Sequence, residues 1–206
     1  MRAHSFLRTA TLFLATLAST GCGRVRYPTN YVLNLSLASS PVAAPSDGHA
    51  SLAVEEFQCP QYLCEGRIVY RETAEEIAFY EFHRWAMNPR EMVTRSIADR
   101  IRSESLFRSV VLKGTGVDAA YVLKGQIERL EELDEGRDVR VVCTISAQLL
   151  DTRTRSVVWG RTESQTVAVQ NRNISGVVNS LSTAAQVTID NLVKSLGQTL
   201  HSPNGQ

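Results

Sequence analysis

The chain has 206 residues, 43% of them hydrophobic, and its 22 basic and 21 acidic side chains leave a net charge of +1. That length suits one domain with a core of its own, without disulfide or metal staples. There is no basic stripe, which argues against a nucleic-acid partner.

The first element is the N-terminus. Met1 to Arg8 carries two arginines, Thr9 to Ala18 is apolar, and Ser19-Thr20-Gly21-Cys22 follows. A basic start, a short apolar run and small residues before a cut make a secretory signal peptide. The run is too short to cross a bilayer as a helix. A cysteine directly behind the small residues resembles the bacterial lipobox, in which that thiol is acylated and becomes the new N-terminus. This reading predicts a signal peptide over 1–21 and lipidation, as by palmitate, at Cys22. The alternative is plain secretion with an ordinary cysteine. Two or more acyl chains hold a protein stably, at about 0.8 kcal/mol per buried methylene. Gly23, where Asp would argue for inner-membrane retention in enteric bacteria, favours the outer membrane, facing the periplasm.

Residues 22–30 read as a tether; the eight residues after the cysteine reach about 27 Å when extended. The domain then spans 31–201, and 202–206 is a loose tail. Tyr31–Leu35 reads as a strand and Ala38–His49, rich in Ser, Pro and Gly, as a surface loop. Ser51–Phe57 is a second strand. Cys59 and Cys64 flank Pro60, which can begin a turn. In an oxidising periplasm the pair can close a small ring or remain two free thiols. Extended chain would hold their Cα atoms about 17 Å apart, so a bridge demands the turn. Arg67–Arg71 and Glu76–Trp85 are the third and fourth strands.

Asn88-Pro89-Arg90-Glu91 announces a helix, with Asn88 as cap and Pro89 in the first position. Val93, Ile97 and Ile101 make its apolar stripe, and it should end near Ser103. Leu106–Leu112 reads as a short strand. Tyr121–Leu130 opens a meander. Val139, Val141, Cys143, Ile145, Ala147 and Leu149 alternate with polar residues, broken on the polar side by Val142 and Leu150. Turns fall at 134–136 and 151–154. Val157–Val169 is the last strand, and Asn173–Leu200 is a long amphipathic helix. The sum is an α+β fold: a two-layer sandwich in which a mixed sheet carries two amphipathic helices on one face.

No sequence motif for a nucleophile, a metal set, a phosphate cradle or a dinucleotide loop is present, and nothing calls for a cofactor. The chain therefore reads as non-catalytic. The aromatics are more telling. Phe57, Tyr62, Tyr70, Phe79, Tyr80, Phe82 and Trp85 supply half of the chain's 14 aromatic residues. On the strand 76–85, Phe79 and Trp85 point one way and Tyr80 and Phe82 the other. Only one face can meet the helices. The other meets an enclosing loop, another protein or an apolar ligand; for a protein contact, Tyr80 and Phe82 are the candidates.

Tyr31-Val32-Leu33, Tyr62-Leu63 with Ile68-Val69-Tyr70-Arg71, and Arg84-Trp85-Ala86-Met87-Asn88-Pro89 followed by Leu106-Phe107-Arg108-Ser109-Val110 are similar in order and spacing to the ABC-type transport auxiliary lipoproteins of the paraquat-inducible protein C type. Leu149 to Arg153 with Val157-Val158-Trp159 extends the resemblance. The chain departs from the pattern at Cys64, where an acidic residue usually follows the Tyr-Leu pair. The resemblance implies a subunit without catalytic activity, held at the outer membrane by lipid. Its implied partners are an MCE-domain protein, ABC transporter subunits and further copies of itself, in lipid transport that maintains membrane integrity. A structural lipoprotein bracing another envelope assembly would look much the same.

Overall fold

The computed structural model describes residues 26–35, 50–114 and 118–201, so Cys22, the leader before it and the 202–206 tail lie outside the described residues. In chain order the elements are β1 (Thr29–Tyr31), β2 (Ser51–Val54), α1 (Gln61–Cys64), β3 (Arg67–Arg71), β4 (Ala78–Trp85), α2 (Pro89–Ser103), β5 (Ser109–Leu112), β6 (Tyr121–Glu135), β7 (Asp138–Asp151), β8 (Ser156–Ala168) and α3 (Ile174–His201).

The sheet is organised by β6. One of its edges pairs antiparallel with β7 along nearly its whole length. The other edge is shared: β2 lies parallel to its first residues, from Leu52↔Tyr121 to Val54↔Leu123. Farther along, β3 lies parallel to it from Val69↔Glu131 to Arg71↔Leu133. β5 flanks β2, β4 flanks β3, β1 flanks β4, and β8 pairs β7 alone. A bulge between Ile127 and Arg129 turns β6 between these two halves, as an extra residue in one strand bends it and raises its twist.

Helices α2 and α3 share one face. Ile97 and Ile101 of α2 and Leu192, Val193 and Leu196 of α3 close over Leu123, Ala147 and Trp159. The result is the two-layer α+β sandwich, with the one-turn helix α1 as an addition the periodicity did not reveal. The inward face of β7 is Val141, Cys143, Ile145, Ala147 and Leu149, all buried. Each large apolar side chain taken fully from water contributes about 1.5–3 kcal/mol. Asn88 caps α2 by accepting from the Arg90 amide at 3.1 Å. Asn173 caps α3 through the Gly176 amide at 2.8 Å.

Two strands end sooner than their apolar runs because side chains on a helix take the next backbone amides. The first strand is Thr29–Tyr31 and not Tyr31–Leu35, so it begins inside the expected tether. Beyond it the Leu33 amide donates to the Met92 sulfur at 3.5 Å and the Asn34 amide to Ser182 Oγ at 3.0 Å. The second strand stops at Val54, and the Phe57 amide donates to Thr94 Oγ1 at 2.9 Å. Leu106 and Phe107 are buried but precede β5. The remaining boundaries move by one or two residues, except that β6 continues to Glu135, into the expected turn.

Phe57, fully buried, lies with its ring against Gly125, where any Cβ would overlap the ring. This close approach lets the segment after β2 stay on the β6 edge, with Gln58 donating to the Gly125 carbonyl at 2.8 Å. Gly125→Ala is expected to lose about 1–3 kcal/mol in urea unfolding, the usual cost of forcing atoms into a packed site. Gly160→Ala, whose Cβ would meet Gln148 at an ordinary 3.6 Å, should not lower stability.

Candidate partner-binding surface

The aromatic strand β4 does not alternate as its sequence suggests. Its register with β3 slips from Arg67↔Arg84 to Val69↔Phe79, so three more residues lie on β4 than on β3 across that step. Tyr80 and Phe82, expected to act together, are separated in role. Tyr80 packs against the core and Phe82 is not part of it. The Tyr80 ring lies 5.1 Å from Tyr70 and 5.8 Å from His83, and its hydroxyl donates to Glu132 Oε2 at 2.6 Å. Burial raises the Tyr80 phenol above its ordinary value, and the Glu132 carboxylate adds to the effect. Burial likewise raises Glu132; the Tyr80 hydrogen bond opposes that and the charge of Asp134 supports it.

Phe82 stays half-exposed, with the Arg26 guanidinium 5.7 Å above its ring. Around the β1–β4 margin, Tyr27 and Val32 are open to solvent. Arg84 is exposed as well. The far side of the margin is closed: Trp85 is buried and Phe79 lies under the Arg67 guanidinium at 3.8 Å. Cation–ring contacts of this kind are worth about 0.5–1 kcal/mol at exposed positions. The margin is thus an open strip of aromatic, aliphatic and cationic side chains beside the segment that leads back to Cys22.

The opposite face of the sheet carries a second feature that sequence reading missed. Val69, Glu131 and Val142 are cross-strand neighbours in one row, and all are buried. Arg71 Nε and Arg129 Nε donate to the two oxygens of Glu131 at 2.9 and 2.7 Å. These side chains border an open cleft of about 490 Å³ with Glu72, Leu133 and Glu135. A buried carboxylate fixed by two guanidiniums is an electrostatic clasp, since without them its charge would be left uncompensated. The signal available in sequence was Glu131-Glu132 in the middle of a strand: adjacent residues point to opposite faces, so both faces had to accommodate an acid.

Cys59 and Cys64 are joined in the structure, with Cα atoms 6.2 Å apart. Helix α1 makes the turn between them, with the Leu63 and Cys64 amides donating to the Pro60 carbonyl. The Asn88 side chain, which caps α2, also donates to the Cys64 carbonyl at 3.2 Å, so the ring is tied to the start of α2. Cys143 is buried and free of any bridge, and burial pushes its thiol up to about 12. Among the described residues there is no group of three or more metal-ligating side chains. No helix among them is long and apolar enough to cross a membrane.

Residues 31–193 match the ABC-type transport auxiliary lipoprotein component family. The chain belongs to that family. Among solved structures, XCC0632 of Xanthomonas campestris, described as a DUF330 protein, superposes with a TM-score of 0.70 at 19% identity. That match covers 83% of this chain and 96% of the other. A protein described only as uncharacterized gives 0.64 at 15% identity, over 82% and 99% of the two chains. At these identities the likeness concerns the fold. No curated protein is matched. The general role is therefore that of an auxiliary lipoprotein of an ABC-type transport system.

The raised Glu132 carboxyl fixes a sign. Its folded state binds a proton more readily than its unfolded state. Stability from this group therefore falls as pH rises from the ordinary value of 4.5 through the higher folded value. Glu132→Gln should flatten the pH dependence of urea unfolding above pH 4.5; an unchanged slope would assign it to other groups. Separately, Cys59→Ser with Cys64→Ser is expected to cost about 2 kcal/mol, from loop entropy in the unfolded chain. Melting with and without reductant checks this, since the double variant should no longer respond to the reductant.

Proposed function

We propose that this protein is the lipid-anchored, non-catalytic subunit of an MCE-type lipid transport system. It stands on the periplasmic face of the outer membrane, receives the periplasmic channel of an MCE-domain protein and so helps maintain membrane integrity. Lipid on Cys22 holds it there, and copies of it associate at the docking point. The observation that carries the reading is the family match over residues 31–193. The sequence before Thr29 supports it: a leader, a lipobox cysteine and a tether that enters the fold at an edge strand. The open strip of Tyr27, Phe82, Arg26 and Arg84 gives the channel protein a surface suited to contact, since aromatic residues and Arg are favoured in interface cores.

An in vivo photocrosslinker at Phe82 should capture an MCE-domain protein. Phe82→Ala should weaken that capture with little change in melting temperature, and Cys22→Ala should move the domain from the membrane to the soluble periplasm. Capture of a different envelope assembly in place of an MCE protein would replace the transport role with a bracing role. A Cys22→Ala variant that stays in the membrane would remove the lipid anchor from the account.

A further inference from the structure

The cleft on the face of the sheet away from the helices is lined by charges of both signs. Arg71, Arg129, Glu72 and Glu135 surround an open space of about 490 Å³. Sites for small ligands usually measure about 300–1,000 Å³. The clasp on Glu131 explains why two guanidiniums stand side by side here, and it leaves part of their hydrogen-bonding capacity unused.

We propose that this cleft binds the headgroup of a zwitterionic membrane phospholipid, a phosphate diester that carries an ammonium. The phosphate lies on Arg129 and Arg71, and the ammonium lies at Glu72. The placement of the cleft beside a bilayer rests on the lipid anchor of the proposed function; the binding chemistry does not. Three observations carry it.

The first is the donors left over. Arg71 gives its Nε to Glu131 at 2.9 Å and its Nη1 to the Ala74 carbonyl at 3.1 Å. Arg129 gives its Nε to the other oxygen of Glu131 at 2.7 Å, and its side chain is 42% exposed. The Arg129 Nη atoms have no acceptor among the described residues. Paired Arg N–H groups match the oxygens of a phosphate. Two guanidiniums alone would repel each other. The buried Glu131 carboxylate holds both by their Nε atoms, so they are in place before a ligand arrives. The bulge in β6 makes this possible: Ile127 points to the helix side, and after the bulge Arg129, Glu131 and Leu133 share the other face.

The second is the balance of charge. A site for a bare anion would carry an excess of basic residues. Here Glu131 offsets one of the two arginines, and Glu135 pairs with Arg140 at 2.5 Å. Glu72 is exposed and pairs with no basic residue among the described residues. It follows Arg71 directly, in a turn held by the Arg71 bond to Ala74 and by the Glu76 amide, which donates to Thr73 Oγ1 at 3.3 Å. The cleft thus offers one net positive centre and one separate acid close beside it. A phosphate with a nearby ammonium has the complementary pattern.

The third is position. β1 runs parallel to β4 from Thr29↔His83, so the chain before Thr29 leads back along β4 toward its first residue, Ala78. Arg26 accordingly lies over the Phe82 ring. Arg26 is four residues after Cys22, a reach of about 14 Å when extended. Ala78 is the cross-strand partner of Tyr70, next to Arg71 and the turn that borders the cleft. The anchor therefore keeps this end of the domain toward the headgroups.

The test uses the full mature lipoprotein in a non-ionic detergent, with soluble headgroups as probes followed by phosphorus NMR. Glycerophosphoethanolamine is expected to bind with a Kd of about 1 mM. Glycerophosphoglycerol, which lacks the ammonium, should bind about threefold more weakly. Arg129→Gln should weaken both about tenfold. That change also leaves Glu131 with a single partner, so Arg129→Gln combined with Glu131→Gln is measured alongside. The pair should melt closer to the native temperature than Arg129→Gln alone and still bind about tenfold more weakly. Glu72→Gln should not weaken glycerophosphoglycerol binding and should abolish the preference for ethanolamine. No binding of either diester at about 20 mM, or undiminished binding in both Arg129 variants, would overturn the site. Inorganic phosphate that binds as tightly as glycerophosphoethanolamine would overturn the headgroup assignment. Because the probes are soluble and need no transport partner, this site and the proposed function fail separately.

Discussion

The structure depends on one strand. β6 is long enough for two shorter strands, β2 and β3, to lie end to end along one of its edges while β7 occupies the other. That arrangement requires the chain between β2 and β3 to remain close to β6 without forming a ladder. Gln58 does so through hydrogen bonds to the backbone of Gly125 and Ile127, and the Phe57 ring occupies the space that a side chain at 125 would fill. The Ile127–Arg129 bulge then turns the second half of β6, carrying β3, β4 and β1 with it. The disulfide-closed turn 59–64 lies in this connection, between the end of β2 and the start of β3.

The same bulge decides where the acids go. Before it, Leu123 and Ile127 point into the helix-covered core; after it, Leu130 and Glu132 do. Glu132 therefore arrives at the end of the apolar layer, where Tyr80 can reach it, and Glu131 faces the other way between two arginines. Both acids are buried and both are satisfied, as the cost of an orphaned buried charge requires. These polar contacts tie β3, β4 and β6 together in the part of the sheet that α3 covers least, so ion pairs and aromatic rings stand in for aliphatic packing there.

This division of labour bears on function. The end of the domain joined to the N-terminal segment is the one built from β1, β4 and their exposed aromatic and cationic margin. The end dominated by β7, β8 and α3 presents a long edge. The two surfaces are thus separate: the aromatic and cationic margin lies on β1 and β4, and the long β8 edge lies at the far side of the sheet. Neither surface needs a catalytic group, in keeping with a family of transport accessories.

Sequence alone determined the features that follow from local chemistry. The Asn88-Pro89 start of α2, the stripe of α3, the alternation of β7 and the family resemblance all rest on residues whose periods or caps act within a few positions of one another. The tertiary structure decided the rest. Whether Leu33 and Phe57 extend strands depended on helices 59 and 37 residues away that take their amides. Whether Tyr80 and Phe82 form one surface depended on a register slip against β3. That Glu131 is buried between Arg71 and Arg129 depended on strands 60 residues apart becoming neighbours. A bulge or an amide's choice of acceptor is a competition between distant groups, and a periodic pattern records only what each residue prefers on its own element.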